Sequence, residues 1–169
     1  QAFAACSERL VVDGTLELDV HCIAQEGANS LRGEWRFAWG KFVPLAPWER
    51  LIQDLPVRID VPSKWDKLAV SSEMNGDSLT GFATYGLRLL WKGNQSLALE
   101  FADIESATQI FVSVDGQPVQ RVYKRGRPAK SADDEIPINF NRLWIPIELN
   151  DKDASAETLH EAIIVLHVS

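Results

Sequence analysis

Short runs of alternating apolar and polar residues, not helical stripes, organise this chain. In "ATYGLRLLW" (83–91), Tyr85, Leu87, Leu89 and Trp91 share one parity and Arg88 takes the other, as in a strand with one buried face. "SLALEF" groups Leu97, Leu99 and Phe101, and "QIFVSV" groups Ile110, Val112 and Val114. In "LRGEWRFAWGKF" (31–42) the same alternation sets Trp35, Phe37 and Trp39 together. "PVRIDVP" and "RLWIPIEL" repeat the period of two, and "IIVLHV" is apolar on both parities. Gly, Pro, Asn and Asp turns separate the runs. The pattern predicts one all-β domain, an antiparallel sandwich or barrel. Two short helical turns are expected besides, one at "PWERLIQDL" with Pro47 in its first position and one at "DASAETLHE".

Two turns carry an Asp-Gly pair, the favoured centre of a tight hairpin. Asp13-Gly14 divides "RLVVDGTLELDV" into two expected strands, and the "VDG" ending at Gly116 leads into "QPVQRVY". Continuing the first hairpin outward sets Cys6 opposite His21, one residue from Cys22. A disulfide between Cys6 and Cys22, the only two cysteines, then needs a single-residue slip or bulge. It is expected in an oxidising compartment; the alternative is two buried, unpaired thiols.

Charge narrows the partners. The string Lys124-Arg125-Gly126-Arg127-Pro128 has the form of an AT-hook, a peptide that enters the minor groove of A·T-rich DNA. Yet the net charge is −7, and the basic run passes directly into Asp133-Asp134-Glu135. Nucleic-acid binders draw most of their affinity from phosphate neutralisation, so a self-neutralising surface loop is expected and nucleic acid is not. His21, His160 and His167 lack metal-ligand spacing, and no phosphate-binding loop or GxSxG stands in the chain. Enzymatic activity, a metal and a cofactor are therefore not expected. No run of 18 apolar residues could span a bilayer as a helix.

Five motifs in order extend the reading: "G-x-L-x-L" from Gly14, "L-x-G-E-W-x-F-x-W-G" from Leu31, "V-P-x-x-W" from Val61, "G-x-A-T-Y-x-L-R-L" from Gly81 and "V-x-V-D-G" from Val112. The series resembles the extracellular jelly-roll domains of bacterial seven-transmembrane receptors with diverse intracellular signalling modules. Those domains are similar to galactose-binding folds. The shorter pair "G-x-W-x-F" and "V-P-x-x-W" is also similar to the sugar-binding domain of family 2 glycoside hydrolases.

The first resemblance implies a galactose-binding-domain-like jelly roll over 14–169, preceded by an N-terminal segment (1–13) that follows a signal peptide. Ala2-Phe3-Ala4 has the small-x-small form of a signal-peptidase site. It implies a periplasmic sensor domain of an inner-membrane receptor with a histidine kinase or nucleotide-cyclase output, binding a carbohydrate or another small molecule. The alternative is a carbohydrate-binding accessory domain of a glycoside hydrolase. Relatives continue past "V-S" into a further strand and membrane spans, so attachment to the membrane through a missing C-terminal region is expected. A homodimer formed through an exposed edge strand is a further expectation. In relatives a glycine-containing loop follows the "V-D-G" hairpin, which places Gly126 and Pro137 in that loop. Candidate ligand contacts are Trp48 and Trp65, near strand or helix ends, and Arg88, opposite the buried parity of its strand; core packing is expected for Trp35, Trp39 and Trp91.

Overall fold

A computed structural model describes residues 9–40, 55–61, 82–104, 108–125, 140–149 and 153–169. Among these described residues nine strands and one helix follow in chain order. They are β1 (Thr15–Glu17), α1 (Val20–Glu26), β2 (Gly33–Trp39), β3 (Val57–Val61) and β4 (Ala83–Lys92). The rest are β5 (Leu97–Ile104), β6 (Thr108–Val114), β7 (Gln120–Arg125), β8 (Phe140–Ile147) and β9 (Leu159–Val168). The larger sheet runs β3-β2-β4-β9-β6-β7 with β1 beside β4, and β5 pairs with β8 in the smaller one. Leu99 of β5 and Ile145 and Ile147 of β8 join Leu87, Leu89, Ile110 and Ile164 of the larger sheet in one core. The two layers thus make a sandwich, as the alternation predicts.

β4 is buried in the expected register. Leu87, Leu89 and Trp91 are inside, Arg88 is exposed, and half-buried Tyr85 packs on the core. Edge-on ring contacts tie Tyr85 to Trp35 and to Phe37, so the aromatic parity of β2 also faces inward. One edge of β4 serves two partners: β2 takes Ala83 to Gly86 and β1 takes Arg88 to Leu90. The β1 pairing is parallel, whereas the other pairings between described strands are antiparallel. β9 lies between β4 and β6 and is buried on both faces, with Ala162 and Ile164 in the core and Ile163 and Val165 opposite. It is a central strand, with no free edge.

Both Asp-Gly turns form as expected. Asp13 and Gly14 have φ of 52° and 73°, Asp115 and Gly116 have 50° and 77°, and positive φ at both central residues suits a tight hairpin. The first hairpin is short: Val12 exchanges backbone bonds with Thr15, but Val11 pairs with Gly33. Gly33, at φ 131°, lets the Val11 backbone lie against it.

Two local expectations are corrected. The second strand of that hairpin stops at Glu17, and Val20 to Glu26 coil into α1. The Asp19 side chain accepts from Cys22 N at 3.1 Å, and Gly27 closes the helix in the left-handed conformation, donating to the Ile23 carbonyl. These are N-cap and C-cap signals, and they outweigh the β propensity of Val-His-Cys-Ile. The segment 153–158 turns through Ser155 and Thr158 without helix, and β9 begins at Leu159, inside the stretch where a short helical turn was expected. The helix expected at "PWERLIQDL" lies outside the described residues, except for Leu55, which is buried without helical structure.

Candidate functional site

The chain ends of β1, β4 and β6, with the start of β9, meet at one end of the sandwich, and α1 walls that end. There they enclose a cleft of about 710 Å³, within the range of about 300–1,000 Å³ usual for small-molecule sites. Its floor is Trp91 and His160, register partners on β4 and β9 with ring centroids 5.5 Å apart. Its walls carry Glu17, Asp19, His21, Lys92 and Glu161.

The floor is held by the turn after β6. His160 is buried, with Nδ1 2.7 Å from Asp115 Oδ2 and Nε2 2.7 Å from the Gly93 carbonyl oxygen. Both ring nitrogens thus face acceptors, so both are used as donors when each bears a hydrogen. Asp115 Oδ1 accepts from the Glu161 backbone N–H at 2.8 Å, giving the carboxylate a second anchor on β9. His160 is therefore a structural wedge with no ring nitrogen left for a substrate. The indole Nε1 of Trp91, by contrast, is buried without a hydrogen-bond partner among the described residues.

Carboxylates outnumber cations on the wall, and several already have work. Asp19 caps α1, and Glu161 pairs with Arg88, whose Nε donates at 2.7 Å. The ammonium of Lys92 has no ion pair among the described residues. Among the described residues no group of three or more His, Cys, Asp or Glu could hold a metal ion, and no helix is long and apolar enough to cross a membrane.

Of the sequence candidates, Arg88 lies on the outer face of β4, partly exposed and bound to Glu161, so it touches the cleft only through that partner. Trp48 and Trp65 lie outside the described residues. Cys22 sits on α1 and is disulfide-bonded; Cys6 lies outside the described residues. Lys124 and Arg125, which open the AT-hook-like string, are the last residues of β7, paired with Gln109 and Thr108 of β6. That corrects their placement in a loop; Gly126 to Pro137 lie outside the described residues.

Sequence reasoning missed the floor. His160 and Asp115 were visible only as a scattered histidine and a turn aspartate, because 45 residues separate them. It also missed Trp144, 59% exposed on β8. Here a signal existed: Trp144 shares its parity with Arg142, Pro146 and Glu148, opposite Ile145 and Ile147. Compared with known proteins, the chain matches no family model and no curated protein.

Proposed function

We propose that this chain is a ligand-binding sensor domain, and that its ligand is a small polar molecule held in the cleft between α1 and the β4 and β9 ends. The observation that carries the reading is the cleft itself: a concave, mixed-polarity site of about 710 Å³ at one end of a rigid sandwich. A few polar groups converging over an aromatic floor are how binding sites fix orientation.

The wider setting follows from the order of five motifs. We place the domain as a galactose-binding-like jelly roll in the periplasm, on an inner-membrane receptor whose kinase or cyclase module responds to the ligand. A glycoside-hydrolase accessory domain shares two of those motifs, and the two settings differ in what the complete reading frame encodes: membrane spans with a signalling module, or a catalytic barrel.

The cleft is tested by thermal-shift screening with small metabolites, followed by titration of Lys92→Ala and Glu17→Gln variants. A ligand that stabilises the native protein and loses at least about tenfold in affinity in these variants supports the reading. Ligands that bind both variants and the native protein equally would remove the cleft from consideration.

A further inference from the structure

A second concavity, of about 500 Å³, runs between edge strand β7 and strand β8 and shares no lining residue with the cleft. One side is β8, where Trp144 and Pro146 share the exposed face. Glu100 stands directly across from Trp144 on β5. The other side is the β6–β7 turn and β7, bearing Gln117, Gln120 and Arg121, while Glu148 closes the groove beyond Pro146.

A tryptophan on a regular strand with 59% of its surface open is unusual cargo for a solvent-facing position. Its backbone is held by the β5–β8 ladder, so the ring is carried on a regular strand and not on a loop tip. Gln117, Gln120, Arg121 and Glu148 make no side-chain hydrogen bond or ion pair among the described residues, so their planar polar ends are available to a ligand. A bulge in the β6–β7 ladder between Ile110 and Phe111 leaves Val122 exposed in the same groove. Bulges on edge strands obstruct the addition of another strand, which argues against an extended peptide as the occupant.

We propose that this groove binds a neutral pyranose sugar of a glycan chain, stacked on Trp144. The lining pairs one guanidinium with one carboxylate, so it offers no net charge to select an ion. It does offer an aromatic face beside amide, guanidinium and carboxylate groups. A pyranose presents the matching surface: a C–H face for the ring and a rim of hydroxyls that both donate and accept. The inference does not depend on the receptor reading or on the cleft.

The test is affinity gel electrophoresis of the full 169-residue chain in gels containing xylan, mixed-linkage β-glucan, galactan or pullulan. Fluorescence titration with oligosaccharides of any retarding polymer then gives the affinity. At least one polymer should retard the native protein. Trp144→Ala should weaken that binding at least about tenfold with an unchanged melting temperature, and Trp144→Phe should retain part of it. No retardation by any polymer, or binding that Trp144→Ala leaves intact, would overturn the proposal. So would a native dimer that Trp144→Ala converts to monomer, since the groove would then hold a second copy. Thermal shifts from cleft ligands are read in the same variants, so failure at one site is distinguishable from failure at the other.

Discussion

His160 and Asp115 are joined by a 2.7 Å contact between Nδ1 and Oδ2 that fastens the start of β9 to the turn after β6. The histidine is buried and its other nitrogen is spent on the Gly93 carbonyl. His160→Ala would remove the ring's contacts to Asp115 and to the Gly93 carbonyl and leave a void beside Trp91. We expect a loss of about 2–4 kcal/mol in urea unfolding. Asp115→Asn, which retains an acceptor for the Glu161 N–H, should cost roughly half as much or less. Equal stability of His160→Ala and the native protein would show that the contact contributes nothing.

Gly33 has no room for a side chain. A Cβ placed there would lie 2.6 Å from the Val11 nitrogen and closer still to its carbonyl oxygen, at a φ of 131° that L-residues avoid. Gly33→Ala should therefore cost about 3 kcal/mol or more, from strain and loss of the Val11 pairing. Gly27 and Gly40 also have positive φ, but nothing stands within 4 Å of a Cβ at either. Alanine there should cost only about 1–2 kcal/mol. Melting temperatures of the three variants, measured side by side, separate backbone strain from steric collision.

Asp13 predicts an acid-labile contribution to stability. Its Oδ1 accepts from Arg58 Nε at 2.6 Å and lies 2.9 Å from Arg36 Nε. The hydrogen bond from Arg58, foremost, and the nearby Arg36 charge outweigh desolvation and hold the carboxyl below its ordinary value of 3.8. A carboxylate with a depressed folded-state pKa stabilises above its unfolded pKa, and that gain fades as pH falls through the lower folded value. Asp13→Asn should flatten the acid limb of the stability curve and leave its shape near neutral pH unchanged. An unaltered acid limb would show that the pairing is too solvent-exposed to matter.

The Cys22 disulfide should stiffen one wall of the cleft. No residue of α1 is fully buried, so packing alone holds the helix weakly. With Cys6 as its partner, closing that loop stabilises by about 3 kcal/mol on a chain-entropy estimate. Reductant or Cys22→Ser should lower the melting temperature and speed amide exchange within Val20–Glu26 before it affects β4 or β9. Two free thiols in unfolded, unreduced protein would refute the pairing.

The strands were legible because burial on one face imposes a period of two, which Leu87, Leu89 and Trp91 display without help from distant residues. The two Asp-Gly turns were legible for a similar reason, since positive φ selects few residue types. α1 was misread as strand although Asp19 and Gly27 bracket it with cap residues; its β-prone interior concealed a helix decided at its ends. The cleft could not be read at all. Its floor joins residues near 91, 115 and 160, and only the order of strands in the sheet makes them neighbours.

That order also has a consequence for how the chain acquires its structure. β9 pairs with β4 along ten residue positions and with β6 along seven, yet among the described strands it comes last in chain order. Until it arrives, β4 and β6 each present an unsatisfied edge, and the larger sheet exists only as two halves. Pairing of the larger sheet is therefore deferred until β9 has been synthesised, and the waiting edges are the points where nascent chains are most exposed to one another. Long-range pairing of this kind also slows the search itself, because closing so large a loop precedes any reward from contact.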